Sequence, residues 1–444
     1  MNNVDIMGGW LPYSVYALAF LLVVIALLGR GKRRWLFITI AAALLGAGIG
    51  IALIPFVQSP IGLDTVLDPI ALTWMCGGFA LVAAMVVALV RGKAKRRVLA
   101  AFAIPLVLLS AALGVNAQFG QYPTLGSLVD APISGKMPES VIASQHRLAP
   151  TAGTTNAAAG ADAKSMPTQG LVSRVQIPAT VSKFPARDAY VYLPPAALGS
   201  HPERMPVMIM LSGQPGAPEN VVQAGSLREI MDAWAAKDHG RAPIVVVPDQ
   251  LGDPASNPMC VDSKLGNSAT YLTVDVPKWI ESNLGVLRGP ENWAIGGFSQ
   301  GGTCAIQLGS AHPEIFSAIL DVSGQVEPAN GSQAHTIKVG FDGSTTAYEA
   351  ALPLNLLKKN APYRDTVAVF GSGSLDGVYG PRVNTVSEAA RNAGMDVTRV
   401  VSPNTAHSWQ TVQWVMRNSL EPILTHLHVG PEQSASEQST PEQP

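Results

Sequence analysis

The chain has 444 residues, enough for two modules, and its net charge of −1 gives no electrostatic basis for binding nucleic acid. Hydrophobic residues make up 48% of the chain and charged residues only 14%, against about 25% in ordinary soluble domains. This shortage of charge indicates either an unusually apolar soluble protein or a membrane segment. The three cysteines, Cys76, Cys260 and Cys304, form no Cys-x-x-Cys pair, so neither a structural metal site nor a bound cofactor is predicted.

The first quarter of the chain contains four apolar stretches without Lys, Arg, Asp or Glu, at residues 11–28, 35–57, 70–90 and 98–115. A helix needs about 20 apolar residues to cross the hydrocarbon core of a bilayer. Buried helices of a large soluble domain are the alternative, but four such stretches in succession, each bounded by charges or turn residues, disfavour it. Residues 1–117 are therefore predicted to form a four-helix transmembrane module that has the lipid bilayer as its partner.

The charges between these stretches predict the orientation of the module. The first and third loops carry all nine basic residues and the middle loop carries none; the nine are Arg30, Lys32, Arg33, Arg34, Arg91, Lys93, Lys95, Arg96 and Arg97. Basic loops stay in the cytoplasm, so both termini are predicted to lie outside it. A cleaved signal peptide is disfavoured because no Lys or Arg precedes the first apolar stretch. The uncharged helices also disfavour a transporter.

Two segments of biased composition bound the rest of the chain. Residues 118–170 are rich in Pro, Gly, Ser, Thr and Ala and are predicted to be a flexible linker. Residues 430–444 are rich in Gln, Glu, Ser and Pro and are predicted to be a disordered tail. A single folded domain is therefore expected at residues 171–429.

The predicted domain alternates short β-rich runs with stretches of helical pattern. The predicted strands are 189–193, 207–211, 244–248, 293–296, 318–322, 367–371 and 397–401. The predicted helices are 226–236, 269–284, 303–312, 383–393 and 408–426. Nearly continuous apolar strands separated by helices indicate an α/β fold, in which a mostly parallel sheet has helices on both faces. Functional residues of such a sheet follow the carboxyl ends of its strands.

Residues 297–301 read Gly-Phe-Ser-Gln-Gly and match the Gly-x-Ser-x-Gly pattern of a nucleophile elbow. They lie directly between a predicted strand and a predicted helix, which is the strand–turn–helix setting that this elbow requires. Ser299 is therefore predicted to be a nucleophile, held in strained backbone angles that expose its hydroxyl. A plain glycine-rich turn with a solvated serine is the alternative.

A serine hydroxyl needs a base, and in this fold the chain order is Ser, acid, His. His407 follows the last predicted strand and precedes the last predicted helix, unlike the other seven histidines. Asp376 follows the penultimate strand, where a carboxylate can hold the imidazole in the required tautomer. An ordinary turn aspartate in an Asp-Gly pair is the alternative for this residue, and Asp342 is the reserve candidate for the acid.

Two backbone amides are expected to stabilise the oxyanion that develops during attack on an ester. The amide of Gln300, directly after the nucleophile, is predicted to be the first donor. The second is expected in the loop after strand 207–211, which reads Ser-Gly-Gln-Pro-Gly. Gln214 is the candidate for this donor, and Pro215 is excluded because it has no N–H.

Together these motifs resemble the esterase family typified by esterase D, feruloyl esterases and the antigen 85 mycolyltransferases. The resemblance covers about residues 207–427 and rests on Met210-Leu211-Ser212-Gly213, Gly266-Asn267, Thr270-Tyr271-Leu272, Gly297-Phe298-Ser299-Gln300-Gly301-Gly302 and His407-Ser408-Trp409. It implies an α/β-hydrolase that acts on esters by hydrolysis or acyl transfer, with Ser299, His407 and Asp376 as catalytic residues.

The sequence departs from this family in two respects. Many members have His-Gly in the oxyanion loop, whereas Ser212 precedes Gly213 here. Mycolyltransferases typically carry a signal peptide and no four-helix module. The overall pattern is closer to that of membrane-anchored actinobacterial esterases.

Two of the cysteines are candidates for a disulfide. Cys260 lies in a predicted loop and Cys304 on the first turn of the helix after the elbow. Outside the cytoplasm such a pair can oxidise, and two separate buried thiols are the alternative. Cys76 is expected to be an apolar residue within the membrane.

The sequence thus predicts a multi-pass membrane protein with an extracytoplasmic serine esterase domain. Its expected substrates are carboxylic esters of a lipid or another component of the cell envelope. Two alternatives stay open: transfer of the acyl group to another hydroxyl, and a non-catalytic envelope scaffold with a degenerate hydrolase fold. The complete Ser, Asp and His set disfavours the scaffold.

Overall fold

A computed structural model describes residues 4–27, 33–58, 69–129, 134–149, 166–254 and 256–430. These residues form a bundle of four long helices and a separate α/β domain. Most of the predicted tail, the linker residues 130–133 and 150–165, and the basic residues Arg30 and Lys32 lie outside the described residues.

Each of the four apolar stretches forms one helix. The helices are α1 (Trp10–Leu27), α2 (Arg33–Gln58), α3 (Pro69–Arg91) and α4 (Ala94–Phe119). All four are long and apolar enough to cross a membrane, and at most 33% of any span is buried inside the protein. Large apolar side chains such as Phe20, Phe37 and Phe102 are exposed. Such a surface suits lipid, which supports membrane anchoring.

The α/β domain contains ten strands. They are β1 (Leu171–Val175), β2 (Ala189–Leu193), β3 (Val207–Leu211), β4 (Ile244–Val247), β5 (Asp262–Ser263), β6 (Gly266–Asn267), β7 (Trp293–Phe298), β8 (Ala318–Val322), β9 (Val367–Gly373) and β10 (Asp396–Ser402). Eight of them form one sheet in the order β1-β2-β4-β3-β7-β8-β9-β10, and β5 and β6 form a short hairpin. The six neighbouring strands of this order, β4, β3, β7, β8, β9 and β10, are parallel to one another. At the edge beside β4, β2 runs antiparallel to β4, and β1 runs antiparallel to β2.

Helices cover both faces of the sheet. They are α5 (Glu139–Leu148), α6 (Pro218–Gln223), α7 (Leu227–Ala235), α8 (Ser268–Thr270), α9 (Val276–Asn283), α10 (Gln300–Ala311), α11 (Gln333–Gly340), α12 (Thr345–Ala350), α13 (Pro353–Asn360), α14 (Tyr379–Asn392), α15 (Trp409–Ser419) and α16 (Glu421–His426). Alternate residues of β3 enter different cores: Val207 and Ile209 pack with α9 and α10, and Met208 packs with α7 and α15. Burial on both faces explains the continuous apolar runs and confirms the predicted fold class.

The structure differs from the sequence-based expectation within residues 118–170. Residues 139–148 form α5, which packs on the α/β domain. The side chain of Gln145 is completely buried; its Nε2 donates to the Ala197 carbonyl at 2.9 Å, and the Gly285 amide donates to its Oε1 at 2.9 Å. Arg204 Nε also donates to the Leu148 carbonyl at 2.8 Å. These bonds fix part of the predicted linker to the domain.

The C-terminal end of α4 contacts the beginning of α15. Trp409 Nε1 donates to Gln121 Oε1 at 3.1 Å, and Gln410 Nε2 donates to the Ala117 carbonyl at 2.6 Å. Gly120 ends α4 with a φ of 69°, and a Cβ at this residue would lie 2.8 Å from Gln410 Oε1. The four-helix bundle and the α/β domain therefore contact each other directly after His407 in the chain.

Candidate active site

Ser299 lies on a sharp turn between β7, which ends at Phe298, and α10, which begins at Gln300. Its φ of 56° and ψ of −114° are angles that a non-glycine residue rarely adopts. The Ser299 amide donates to the Val322 carbonyl at 2.8 Å, and the Thr303 amide donates to the Ser299 carbonyl at 2.9 Å. The sheet on one side and the helix on the other thus hold this strained conformation.

The two glycines of the motif are required by close packing. A Cβ at Gly297 would lie 2.3 Å from the carbonyl of Gly301, and a Cβ at Gly301 would lie 2.4 Å from the carbonyl oxygen of Ser212. Neither distance leaves space for a side chain. The sequence motif therefore corresponds to an elbow in which strand, turn and helix are in backbone contact.

The structure brings His407 to Ser299 from the loop between β10 and α15. Its Nε2 lies 2.8 Å from Ser299 Oγ, within hydrogen-bonding distance. The imidazole stacks on the ring of Tyr379, with centroids 3.9 Å apart, and packs against Phe298, with centroids 4.9 Å apart. Two rings from different parts of the chain therefore restrict the orientation of the histidine.

Asp376 follows β9 and lies on the other side of the imidazole. Its Oδ2 is 3.2 Å from His407 Nδ1 and accepts a hydrogen bond from Ser323 Oγ at 3.2 Å, while its Oδ1 accepts one from the Tyr379 amide at 2.9 Å. Burial acts to raise the pKa of Asp376, but the interactions with His407 and these hydrogen bonds outweigh burial and lower the pKa below its ordinary value. The group is therefore a carboxylate at neutral pH.

Asp342, the reserve candidate for the acid, occupies a different environment. It is exposed, and its Oδ1 forms an ion pair with Lys264 Nζ at 2.7 Å on the surface. The structure brings together Ser299, His407 and Asp376.

This arrangement can move a proton. With the Nδ1 proton directed at Asp376, Nε2 of His407 carries a lone pair that can accept the Ser299 proton as Oγ attacks a carbonyl.

Tyr379, whose ring stacks on the imidazole of His407, was not found by sequence reasoning. The only sequence signal for this residue was its position two residues beyond the Asp-Gly turn. The stacking of Tyr379 on His407 depends on the pairing of β9 with β10, which the sequence does not reveal.

The loop after β3 lies against the elbow. A Cβ at Gly213 would be 3.5 Å from Ser299 Cβ and 3.2 Å from the Phe298 ring, so the backbone approaches the nucleophile closely. The bond between Gln214 and Pro215 is cis. The Gln300 amide belongs to the first turn of α10, where helical N–H groups lack intrahelical acceptors. The structure thus brings both segments predicted to supply oxyanion donors to the elbow, and the Gln300 and Gln214 amides remain the predicted donors.

An ion pair holds the far end of this loop. Arg187 contacts Asp249 twice, Nη2 to Oδ1 at 2.7 Å and Nε to Oδ2 at 2.9 Å, and its Nη2 also donates to the Gly216 carbonyl at 3.1 Å. The Asp249 side chain is completely buried directly after β4.

Replacing Arg187 with methionine is expected to lower the free energy of unfolding by about 3 kcal/mol, because a buried carboxylate then loses its cation. The matched control is Arg174→Met, which removes the half-exposed contact between Arg174 and Asp188 at 3.5 Å. Exposed pairs of this kind contribute at most about 1 kcal/mol. Urea titration of the full chain in detergent measures both variants, and equal losses would contradict the importance of the buried pair.

The predicted pairing of Cys260 and Cys304 is present in the structure. The two sulfur atoms are 1.98 Å apart, and the disulfide joins the loop before β5 to the first turns of α10. Cys76 on α3 is a free thiol. Among the described residues, no group of three or more His, Cys, Asp or Glu could hold a metal ion.

Comparisons with known proteins identify the family to which the chain belongs. A family model described as "Putative esterase" matches residues 186–416, more than half of the chain. A Corynebacterium glutamicum protein described as uncharacterized is 31% identical over 338 residues, which cover 74% of this chain and 76% of that protein. Among solved structures, a ferulic acid esterase is 19% identical, with a TM-score of 0.49, and the match covers 59% of this chain and 98% of that one. An S-formylglutathione hydrolase from Agrobacterium tumefaciens is 20% identical, with a TM-score of 0.47, over 61% of this chain and 99% of that one.

The family model decides the assignment, since the C. glutamicum relative is described only as uncharacterized and the two solved structures share too little sequence to carry it. The site described above is of the kind that such a family requires: a serine on an elbow, within reach of a histidine. The chain therefore belongs to the esterase family and is a serine ester hydrolase with an α/β-hydrolase fold.

Proposed function

We propose that the protein is a membrane-anchored esterase whose catalytic domain lies outside the cytoplasm. Ser299 is the nucleophile, His407 the general base and Asp376 the carboxylate that orients the base. The substrate is a carboxylic ester of a lipid or another component of the cell envelope. The observation that carries the proposal is the continuous chain of contacts from Ser299 Oγ through both nitrogens of His407 to Asp376.

The reaction proceeds through an acyl-enzyme. Ser299 Oγ attacks the ester carbonyl while His407 Nε2 takes its proton, and the amides of Gln300 and Gln214 donate to the oxyanion. The intermediate collapses, and the leaving alkoxide takes the proton from His407. Water then gives a proton to His407 and attacks the acyl group, which leaves as the acid while Ser299 regains its proton. In acyl transfer, a second alcohol replaces this water.

The length of α4 supports a site close to the membrane surface. Its 26 residues extend about 39 Å, whereas the hydrocarbon core is about 30 Å thick. In the proposed orientation, the beginning of α4, with the basic residues Lys95, Arg96 and Arg97, lies at the cytoplasmic surface. The last turn, which includes Ala117, then lies at the level of the outer head groups.

In the same orientation, the contact between α4 and α15 supports a position of the catalytic histidine near this level. Gln410 touches Ala117, and His407 precedes Gln410 by three residues, a distance of at most about 11 Å along the chain. An ester at the head-group level of the outer leaflet is thus close to the base. This proximity favours a membrane lipid over an ester that diffuses freely in solution.

The proposed orientation can be tested with single cysteines. Lys264→Cys lies on the exposed surface of the α/β domain, and Lys95→Cys lies in the first turn of α4, within the second basic cluster. In intact cells, a membrane-impermeant maleimide is expected to label Lys264→Cys and to leave Lys95→Cys unlabelled until the cells are opened. The reverse pattern would contradict an extracytoplasmic esterase.

The substrate can be identified by incubating the purified chain, and its Ser299→Ala variant, with a lipid extract of the cell envelope. We expect the parent to consume one lipid, which the variant leaves intact. Release of a free acid would identify hydrolysis, and a new acylated product would identify transfer. If the parent cleaves soluble esters but consumes no lipid, the proposal of a lipid substrate is wrong.

A further inference from the structure

Gln250, the third residue after β4, joins the two segments that surround the nucleophile. Its side chain is completely buried. Its Nε2 donates to the Ser212 carbonyl at 2.7 Å and to Gln300 Oε1 at 3.0 Å. One amide group therefore connects the beginning of the loop after β3 to the residue that follows Ser299.

The side chain of Gln300 is held through its Nε2 as well as through its Oε1. Its Nε2 donates to Asn257 Oδ1 at 3.1 Å and lies 3.2 Å from Cys304 Sγ. Asn257 is itself fixed, because its Nδ2 donates to the Ala329 carbonyl at 2.7 Å. Gln250 is thus the link between the oxyanion loop and a chain of contacts that reaches the disulfide.

The two N–H donors of Gln250, and not its Oε1, make its contacts with the neighbouring segments. Its Oε1 has no hydrogen-bond partner within the described part of the chain. A buried polar atom without a partner destabilises a fold, and an apolar side chain of similar size would avoid this penalty. The glutamine supplies instead two N–H donors directed at two separate segments.

Asp249 and Gln250, which follow β4, hold the loop after β3 at both of its ends. Asp249 acts through Arg187 on the Gly216 carbonyl, and Gln250 acts directly on the Ser212 carbonyl. Between these points lie residues 213 and 214, which include the predicted second oxyanion donor, Gln214. Two consecutive residues therefore set how far the loop lies from Ser299.

We propose that Gln250 is a positioning residue for the oxyanion hole. It fixes the separation between the Gln300 amide and the amides of residues 213–214, so that both donors are in place before substrate arrives. This inference rests on the proposed function, in which these amides bind the oxyanion. Donors held in advance stabilise the transition state more than the bound ester, so the contribution of Gln250 is to kcat and not to KM.

The test replaces Gln250 with methionine, which keeps the length of the side chain and removes both N–H donors. We expect kcat on a p-nitrophenyl ester to fall about tenfold to a hundredfold, since a displacement of an ångström can have an effect of that size. KM should change less than about twofold. Inhibition by an alkyl boronic acid, which forms a tetrahedral adduct on Ser299, should weaken by the same factor as kcat.

Gln307 on α10 offers a matched control. It is also buried, its Nε2 donates to the carbonyls of Met259 and Cys260 at 3.4 and 3.3 Å, and its Oε1 likewise lacks a partner among the described residues. Gln307→Met therefore removes an equivalent buried amide that does not touch the oxyanion loop. It is expected to lower the unfolding temperature about as much as Gln250→Met and to leave kcat unchanged.

A second variant, Gln300→Met, breaks the same link from its other end and retains the Gln300 backbone amide. It remains informative if Gln250→Met does not fold. It is expected to lower kcat with KM unchanged, and the double variant should lose no more than the more affected single variant, because both act on one contact. Fully multiplicative losses would overturn the role of Gln250 as a link.

Ser299→Ala in the same assays separates the two proposals. If Ser299→Ala abolishes activity while Gln250→Met and Gln300→Met match Gln307→Met in kcat, the positioning role is wrong and the proposed function stands. If Ser299→Ala retains activity, the proposed function fails, and the positioning role fails with it.

Discussion

Replacing Ser299 with alanine is expected to lower kcat by about 10⁵-fold to 10⁶-fold, since only the oxyanion donors and substrate binding then remain to accelerate the reaction. The fold should persist, because the side chain of Ser299 makes one contact, with His407, while its backbone is held by Val322 and Thr303. The measurement is the rate of hydrolysis of a p-nitrophenyl ester by the full chain in detergent, together with the temperature of unfolding.

Ser310→Ala is the matched control for this substitution. Ser310 is a buried serine on α10, the helix that follows Ser299, and its Oγ donates to the Ile306 carbonyl at 2.6 Å. Removing it should leave kcat within about twofold, since it lies nine residues beyond the last residue of the elbow, Gly301. A comparable loss in both variants would show that activity depends on the packing of α10 and not on the Ser299 hydroxyl.

Replacing Asp376 with asparagine is expected to lower kcat by about 10⁴-fold. The asparagine can direct its NH₂ group at Nδ1 of His407, which favours the tautomer with the proton on Nε2 and leaves no lone pair for the Ser299 proton. KM on the same ester should change little, because Asp376 is buried behind the imidazole. Steady-state kinetics of the purified variant at neutral pH measure both constants.

Asp342→Asn serves as the control, since Asp342 was the other aspartate that the sequence offered for this role. It is an exposed residue paired with Lys264, so its replacement should leave kcat unchanged. If Asp342→Asn inactivated the enzyme while Asp376→Asn did not, the assignment of the acid would be wrong.

The low pKa of Asp376 also predicts how its contribution to stability varies with pH. A carboxyl group whose pKa is lower in the folded protein than in the unfolded chain stabilises the fold at pH values above the unfolded pKa, about 4. This stabilisation disappears as the pH falls through the folded-state pKa. The difference in unfolding free energy between the parent and Asp376→Asn should therefore decrease when the pH is lowered from 7 to 3.

The sequence alone predicted the central strands and the catalytic elbow well. Strands β3 and β8 match their predicted bounds, because both faces are buried and the apolar run ends where burial ends. The order Ser, acid, His along the chain then located Asp376 and His407 at neighbouring strand ends. These features depend on short-range pattern and on a topology shared by the whole family.

Other features could not be predicted because they depend on tertiary contacts. Strand β1, at the antiparallel edge, buries only Ser173 fully and so lacks a continuous apolar run. The predicted helix 408–426 divides after Ser419, because Pro422 has no N–H and cannot continue a helix. Helix α5 lies in a stretch of linker-like composition, and its position is fixed by tertiary contacts such as those of the buried Gln145 and of Leu148.

The same reason explains why Gln250 was overlooked. Nothing in its local sequence distinguishes it from other polar residues after a strand, and its role appears only when Ser212 and Gln300 meet at its amide group. The contact of Trp409 and Gln410 with the end of α4 is equally invisible in the sequence, because it joins residues nearly 300 positions apart.

The most direct test of the central claim uses a fluorophosphonate probe on the full chain in native membrane vesicles. The probe reacts only with a serine whose proton can be removed by a nearby base. We predict a single adduct on the peptide that contains Ser299, strongly reduced labelling of His407→Ala, and none of Ser299→Ala. An adduct on a different serine, or undiminished labelling of the His407 variant, would contradict the proposed mechanism.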